Sequence, residues 1–325
     1  MATIRWGIIG CGDVTEVKSG PAFQRADNSS LVAVMRRTGA LAEDFARRHG
    51  VPRWHDDADA IIHADDIDAV YVATHPNSHR EYVLRCAEAG KPVYVEKPMA
   101  IDHDECLEMI AACRSAGVPL WVGYYRRELP RFAAVEKLLG EGAIGEIHAV
   151  RTERYARPSG STAGSAPWQL DPTLSKGGVF FDSACHTLDF LDLLFGPVVD
   201  VSGETANRTR ANDVVDTISA TFRYENGVLG SGLWCYASDC DEDTTVIVGS
   251  KGQLTFSTSR PSPVRLTQGG THRELPIEDP PHVHQPLVQT IVDELNGNGW
   301  SRSTGESGAR TAWVMDELLG RRASS

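Results

Sequence analysis

The first ~120 residues alternate between short apolar runs and longer segments with helical periodicity, and this alternation constrains the fold more than any other feature. Strands that are separated by helices pair in parallel, with the helices covering both faces of the sheet. The predicted strands are 4–9, 31–35, 51–54, 69–73, 92–95 and 120–122. The predicted helices are 14–25, 41–49, 58–63, 78–89 and 102–116. Residues 1–123 are therefore predicted to form an α/β domain of the Rossmann type.

From about residue 124 the pattern changes to strands that are joined by short turns. The predicted strands are 147–155, 216–224, 228–236, 244–248, 253–257, 264–267 and 272–277. The segment 157–178 is predicted to be a loop, and helices are predicted at 179–195, 285–296 and 305–319. Residues 124–325 are therefore predicted to form an α+β domain with one large, open, mainly antiparallel sheet, arranged as a meander.

One face of this second sheet is predicted to need a partner. Leu229, Leu233 and Cys235 alternate with smaller or polar residues, and a helix is expected on one face only. We expect a homo-oligomer, a dimer or a tetramer, that forms through the open sheet. The alternative is a solvated face.

Charge and cysteine content exclude several classes of partner. The net charge of −12 and the pI of about 5.4 argue against a nucleic-acid or anionic-membrane surface. The sequence has neither an apolar run long enough to span a bilayer nor an N-terminal leader. The seven cysteines form no Cys-x-x-Cys pair and mostly lie in apolar patterns, so reduced thiols and a cytoplasmic location are predicted.

A glycine-rich turn follows the first strand and opens the first helix. Gly10 permits a tight turn, and Gly12 lets the backbone approach a pyrophosphate, which would rest on the helix N-terminus at Asp13 and Val14. The third position of the fingerprint is Thr15 instead of Gly or Ala, so the motif is incomplete. Dinucleotide binding is predicted, and the alternative is a glycine turn without a nucleotide.

The end of the second strand bears on the choice of cofactor. A carboxylate there would accept the ribose 2′-OH of NAD, whereas this strand runs into Arg36 and Arg37. Guanidinium groups bind phosphate through parallel hydrogen bonds. NADP(H) is therefore the preferred prediction and NAD(H) the alternative. Alternatively, the two arginines form a solvated loop.

Three side chains carry the predicted chemistry. Lys97 follows the strand 92–95 at its carboxyl end, where ligands bind in open α/β sheets. Asp182 and His186 are four residues apart and share one face of a predicted helix. His and Lys can carry a proton near neutral pH, and a carboxylate can orient hydroxyl groups, as hydride transfer to or from a polyhydroxylated substrate requires. The alternative for His186 is a hydrogen-bonded core residue.

Together these segments resemble the glucose–fructose oxidoreductase/inositol dehydrogenase (Gfo/Idh/MocA) family. The matching segments are the Gly10-Cys11-Gly12 turn, residues 73–79, residues 90–98 with their Glu-Lys-Pro element, and Gly177-Gly178 leading to Asp182 and His186. The resemblance implies that Lys97, Asp182 and His186 are catalytic. It also implies that Thr74, His75, Asn77 and Glu96 contact the nicotinamide half of the cofactor, and His79 and Lys97 complete the predicted cofactor-binding set. One departure is Trp168-Gln169, where several NADP-linked sugar reductases of the family carry Trp-Arg.

Further side chains have open roles. Tyr124 and Arg126 follow the last strand of the first domain and are predicted to contact substrate, or else to form a hinge. Trp168 precedes the helix of Asp182 and is predicted to cover the substrate. His282 and His284 are predicted to lie in a loop, at the rim of a cleft. No metal site is predicted, because Pro76 separates the only promising pair, His75 and His79, and no third ligand is near. Arg310 has no assigned role.

The sequence thus predicts an NADP(H)-preferring dehydrogenase or reductase that acts on the CH–OH group of a sugar, cyclitol or vicinal diol. Two alternatives remain from the family resemblance. One is a glycosidase that uses tightly held NAD for transient oxidation. The other is a non-catalytic NAD(P)-sensing regulator, against which the joint presence of Lys97, Asp182 and His186 argues.

Overall fold

The computed structural model describes residues 1–158, 168–171, 174–175, 177–210 and 213–320. The chain divides into two compact units, Met1–Leu129 with Pro280–Ala309 and Pro130–Asp279 with Arg310–Ser325. The predicted boundary after residue 123 therefore needs correction, because residues 280–309 return to the first unit. The return is driven by the helix Gln285–Leu295, whose apolar side chains Leu287 and Ile291 are fully buried.

The first unit contains a six-stranded parallel sheet, which confirms the predicted Rossmann architecture. Its elements are β1 (Ile4–Ile9), α1 (Asp13–Val17), α2 (Gly20–Arg25), β2 (Ser29–Met35), α3 (Gly39–His49), β3 (Arg53–His55), α4 (Asp59–Ile62), β4 (Ala69–Val72), α5 (His79–Glu88), β5 (Val93–Val95), α6 (His103–Ala116) and β6 (Leu120–Val122). The strand order is β3-β2-β1-β4-β5-β6, so the direction of winding reverses between β1 and β4. The carboxyl ends of strands beside such a switch point form the usual ligand crevice of an open α/β sheet.

The helix after the glycine turn differs from the prediction. The expected single helix 14–25 is divided into α1 and α2, because Pro21 lies in the first turn of the second segment and cannot donate a backbone hydrogen bond. The other end signals are confirmed. Asp102 caps α6 by accepting a hydrogen bond from the Glu105 N–H at 3.0 Å, and Gly50 ends α3 in the left-handed conformation.

The second unit contains an eight-stranded, mainly antiparallel sheet, as predicted. Its elements are α7 (Pro130–Gly140), β7 (Ile147–Tyr155), α8 (Gly178–Phe195), β8 (Val198–Ala206), β9 (Thr217–Tyr224), β10 (Leu229–Cys235), β11 (Glu242–Gly249), β12 (Gly252–Phe256), β13 (Val264–Gln268) and β14 (Thr271–Leu275). Two further helices follow in the chain. Helix α9 (Gln285–Leu295) belongs to the first unit, and the boundary between the units falls inside α10 (Gly305–Leu318). The loop predicted at 157–178 lies partly outside the described residues.

The predicted meander is interrupted. The strand order is β14-β13-β12-β11-β7-β10-β9-β8, so β7 lies between β11 and β10 and runs parallel to β10. The prediction also missed α7 and β8. The burial pattern of β8 has no buried position and shows no regular alternation, so the strand lacks the signal on which the prediction depended.

Helix α8 covers one face of the second sheet. The Phe180 ring packs edge-on against Trp234 at 5.2 Å between centroids, and Phe195 packs in the same way against Tyr224. Most side chains of β9 and β10 that point away from this helix are exposed, and Leu229 retains 58% of its surface. In the described part of the chain, no helix combines the length and the apolar character needed to cross a membrane.

Candidate active site

The glycine turn has the geometry that a close ligand approach requires. Gly10 has φ +93°, and a Cβ added there would lie 2.7 Å from Thr74 Cγ2 and 3.0 Å from the backbone of Ala73. A Cβ added at Gly12 would meet no atom nearer than the Gly10 carbonyl oxygen at 3.9 Å. The space in front of Gly12 is therefore open in the protein, as expected of a backbone that a cofactor phosphate approaches.

Thr15, at the third position of the fingerprint, helps to close the glycine turn. Its side chain is fully buried, and Oγ1 donates a hydrogen bond to the Gly12 carbonyl at 2.6 Å. The Thr15 backbone N–H donates to the same carbonyl at 3.0 Å. A hydroxyl thus closes the turn, a function that a third glycine could not perform.

One predicted phosphate-binding arginine, Arg36, lies beside this turn, and the other, Arg37, lies near His75. Arg36 Nη1 donates to the Cys11 carbonyl over 3.5 Å. Burial raises the pKa of the Cys11 thiol to about 11, against the lowering effect of the Arg36 charge. Burial also lowers the pKa of His75, and the Arg37 charge lowers it further, which puts the second guanidinium near the end of β4.

In the segment after β4, some of the predicted cofactor contacts are accessible to a ligand. His75 and Asn77 are exposed, Thr74 is half-buried, and the Ser78 hydroxyl donates to Thr74 Oγ1 at 2.8 Å. These residues remain candidates for contact with the cofactor.

His79 has a different place from the one predicted. Its ring is fully buried, with Nε2 2.9 Å from the Thr74 carbonyl and Nδ1 3.1 Å from the Pro98 carbonyl. Burial lowers its pKa. The ring therefore joins the segment after β4 to the segment after Glu-Lys-Pro and offers no edge to a cofactor. In the described residues, no group of three or more His, Cys, Asp or Glu side chains could hold a metal ion.

Glu96 lies at the centre of a buried polar cluster, which we call the Glu96 cluster and which consists of Tyr71, Tyr94, Glu96 and His284. The Tyr71 hydroxyl donates to Glu96 Oε1, and the Lys97 backbone N–H donates to Oε2 at 2.9 Å. Burial raises the pKa of the Glu96 carboxyl, whereas the Lys97 charge and the Tyr71 hydrogen bond lower it. Protein groups donate to both oxygens, and the hydrogen bond to Oε2 holds the backbone of Lys97. The predicted contact of Glu96 with the nicotinamide half of the cofactor stays a prediction.

His284 is the functional candidate that sequence reasoning misplaced. It does lie just before α9, but it is fully buried instead of lying at a rim. Its Nδ1 is 2.7 Å from the Tyr94 hydroxyl, and its Nε2 is 3.4 Å from Glu96 Oε1. Burial lowers the pKa of His284 to about 3, with smaller effects from Lys18 and Lys97, so the ring is neutral. The only signal in the sequence is its position directly before an amphipathic helix.

Lys97 is half-buried and follows the cluster at the carboxyl end of β5. The hydrogen bond from its backbone N–H to Glu96 fixes its main chain within the first unit.

Arg126 also belongs to this unit and is buried, and its Nη1 has no hydrogen-bond partner among the described residues. A buried guanidinium atom of this kind is a candidate for binding a polar ligand. Tyr124 is fully buried, and its predicted contact with substrate stays a prediction.

The second unit brings Asp182 and His186 together on one face of α8, as predicted. Asp182 is half-buried and His186 retains 4% of its surface. The Gln169 amide donates to Asp182 Oδ2 at 3.1 Å, which gives this residue of the Trp-Gln departure a direct role in orienting the carboxylate. Trp168 is half-buried in the short 3₁₀ helix beside Gln169.

Arg310 has a structural role. Its Nε and Nη2 donate to the two oxygens of Asp192 at 2.8 and 2.7 Å. Asp192 is buried on α8, and a two-pronged pair of this kind compensates its charge. The arginine therefore supports the helix that carries the candidate catalytic residues.

Comparison with known proteins identifies the family. Residues 4–124 match the model of the oxidoreductase family with an NAD-binding Rossmann fold, and residues 132–255 match the GFO/IDH/MocA C-terminal domain. Oxidoreductase P35 of Formosa agariphila is 36% identical over 319 residues, which cover 98% of this chain and 98% of that protein. The trans-1,2-dihydrobenzene-1,2-diol dehydrogenase of Bos taurus is 27% identical, covering 86% of this chain and 81% of its own.

A solved structure agrees with the sequence comparison. The aldose-aldose oxidoreductase of Caulobacter crescentus, complexed with glycerol, has a TM-score of 0.85 and 26% identity, with 98% of this chain and 97% of that chain covered. With the open glycine turn and the two sheets described above, these matches confirm the predicted family, the fold class and the enzyme class. The chain belongs to the Gfo/Idh/MocA family and is an NAD(P)-dependent dehydrogenase or reductase that acts on CH–OH groups.

Proposed function

We propose that this enzyme is an NADP(H)-preferring dehydrogenase or reductase of a sugar, cyclitol or vicinal diol. The observation that carries the proposal is the set of groups at the carboxyl edge of the first sheet: an open Gly12, the Arg36 guanidinium beside the glycine turn, and a lysine whose backbone N–H donates to a buried carboxylate. The printed names of the relatives support the substrate class. One is a diol dehydrogenase, and another, from Ensifer adhaerens, is a 1,5-anhydro-D-fructose reductase.

The roles follow from the chemistry of each side chain. The bound nicotinamide would accept or supply hydride at the carbon of the CH–OH group. We assign the proton of the substrate oxygen to Lys97 and His186, because an amine and an imidazole can both exchange a proton near neutral pH. Asp182, oriented by Gln169, would accept a hydrogen bond from a substrate hydroxyl.

The cofactor preference depends on Arg36 and Arg37. Arg36 beside the glycine turn and Arg37 near His75 fit a 2′-phosphate better than a bare ribose, for which a carboxylate acceptor is usual. The open space in front of Gly12 leaves room for the pyrophosphate of the cofactor. The proposed cofactor contacts also include Asp13, Val14, Thr74, His75 and Asn77.

The experiment is an absorbance assay at the reduced-nicotinamide band, with a panel of sugars and polyols and with both cofactors. Turnover with at least one member, abolished in Lys97→Met, supports the proposal. The matched control is Lys91→Met, because Lys91 ends in hydrogen bonds to the Ala64 and Ile67 carbonyls, away from the turn. Absence of turnover with the whole panel, or release of sugar from a glycoside with no net change in NADPH, would contradict it.

The proposal includes a homo-oligomer that forms through the exposed face of β9 and β10, and a cytoplasmic location. Leu229 and Leu233 remain 58% and 36% exposed in the single chain, and the seven cysteines are all free thiols. Light scattering after size exclusion tests the assembly. Leu229→Lys together with Leu233→Lys should dissociate it, whereas Leu107→Lys on α6, which is 46% exposed, should not. A wild-type monomer would contradict the oligomer.

A further inference from the structure

The second unit contains a pocket of its own, and nothing in the assignments above uses it. Its volume is about 600 Å³, which is ample for a monosaccharide. Its lining includes Arg154, Arg157, Val179, Ser183, Tyr236 and Asp241. Ser183 follows Asp182 directly in α8, so the pocket lies on the helix that carries the candidate catalytic pair.

The guanidinium of Arg154 is held in one orientation by protein groups that all bind the same atom. Its Nη1 donates to Asp241 Oδ1 at 2.7 Å, to the Glu242 carbonyl at 3.0 Å, and to the Tyr155 carbonyl. Its side chain is only 20% exposed. None of these bonds uses Nε or Nη2, and those two atoms have no partner among the described residues. The edge that presents two parallel N–H groups is thus free and fixed in place.

Two hydroxyls accompany this edge in the pocket lining. The Ser183 and Tyr236 hydroxyls share a hydrogen bond. Burial raises the pKa of Tyr236, while the Arg154 charge lowers it and the Asp182 charge raises it, so the phenol lies within reach of both charges. The pocket therefore presents a guanidinium and hydroxyls near the carboxylate assigned to substrate orientation.

The charges of the pocket permit an anion. Asp241 pairs with both Arg154 and Arg260, and Asp239 pairs with Arg157. In these ion pairs three guanidiniums share two carboxylates. The carboxylates compensate most of the positive charge, and the free edge of Arg154 remains as the strongest donor of the lining.

We propose that this pocket binds the carboxylate of the substrate, and that the preferred substrate is a sugar acid or another carboxylated diol. Nε and Nη2 of Arg154 would each donate to one carboxylate oxygen, the two-pronged geometry that an arginine forms with a planar anion. The Ser183 and Tyr236 hydroxyls would bind the sugar. This inference rests on the proposed function, since it names the substrate class of that reaction.

The test compares matched pairs of substrates that differ in one carboxylate: D-glucuronate with D-glucose, and D-galacturonate with D-galactose. We expect wild-type kcat/KM to favour the acid of at least one pair, and Arg154→Gln to lower kcat/KM for that acid about 10- to 100-fold while leaving the neutral sugar unchanged. Arg154→Lys, which keeps the charge but loses the fork, should recover only part of the loss. Arg265→Gln on β13, at an exposed ion pair outside the pocket, is the matched control and should change neither rate.

A preference for the neutral sugars in both pairs, or an equal loss for both members in Arg154→Gln, would overturn the carboxylate assignment and leave the proposed function standing. If none of the four turns over, calorimetry decides the inference separately. D-glucuronate or D-galacturonate binding that Arg154→Gln abolishes supports it, and no binding of either acid to the wild type refutes it. Thermal unfolding of each variant shows whether the fold is retained.

Discussion

The neutral imidazole of His284 and the carboxyl group of Glu96 face each other in the interior of the first unit, with 3.4 Å between Nε2 and Oε1. The Tyr94 hydroxyl lies 2.7 Å from Nδ1 and forms a hydrogen bond with it, whereas Nε2 has no hydrogen-bond partner among the described residues. The loop before α9 is thus tied to β5 through Tyr94, three residues before Lys97. Residues 280–309 support the candidate site although they lie far from it in sequence.

This pair predicts a pH-dependent stability. The pKa of His284 falls from about 6.5 in the unfolded chain to about 3 in the folded protein. Between these values the unfolded state binds a proton that the folded state excludes, so the stabilisation is complete above about pH 6.5 and is lost as the pH falls. From about pH 7 to about pH 5, the His284 contribution to the free energy of unfolding should decrease by about 2 kcal/mol.

The measurement is denaturant unfolding of the wild type and His284→Gln at both pH values. Gln preserves a donor but does not titrate, so the loss of stability on acidification should be smaller in the variant. Glu96 acts in the opposite direction, because its raised pKa makes the folded state bind a proton more tightly, and it is present in both proteins. Equal pH slopes for the two proteins would show that His284 is already charged or unburied.

The glycine turn allows cofactor binding to be separated from folding. Gly12 has φ −116°, which any residue adopts, and open space in front of it. Gly12→Val should therefore leave the melting temperature of the cofactor-free protein nearly unchanged and weaken cofactor binding at least about tenfold, since the new side chain occupies the phosphate approach. Fluorescence titration with NADPH measures the affinity.

Gly10→Ala is the counterpart to this variant. Its φ of +93° and the 2.7 Å approach to Thr74 Cγ2 predict a loss of stability before any cofactor is added. If Gly12→Val bound NADPH as tightly as the wild type, the open space would not be the phosphate site.

Arg36 provides the test of cofactor choice. Arg36→Asp should lower NADPH affinity about 10- to 100-fold and NADH affinity far less, because only NADPH carries the phosphate that a guanidinium would bind. The dissociation constants of both cofactors should be compared with those of Arg47→Asp, a substitution at an exposed arginine of α3. Equal losses for NADPH and NADH would remove Arg36 from phosphate recognition.

The sequence predicted features that depend on local patterns. The glycine turn, the cap at Asp102 and the shared face of Asp182 and His186 all follow from spacing within one turn or one helix. The misplaced features depend on contacts between distant segments. His284 is buried because α9 returns to the first unit, and β7 pairs with β10 across some eighty residues of chain.

His79 shows a related limit of sequence reasoning. The sequence-based prediction placed it among the cofactor contacts, yet its two ring nitrogens face backbone carbonyls of its own unit. A motif identifies which residues occur together but not which of them point toward the ligand. That distinction required side-chain geometry, as did the orientation of Asp182 by Gln169.

His186 provides the direct test of the proposed chemistry. His186→Ala should lower turnover about 10²-fold or more, because a positioned proton carrier contributes that factor to the transition state. NADPH affinity should be unchanged, since the glycine turn and both arginines belong to the first unit. His186 is 4% exposed, so His186→Asn is measured beside it as a variant that leaves a smaller cavity. If both variants retain wild-type turnover while unfolding at the wild-type temperature, His186 is a core residue and the proton passes through Lys97 alone.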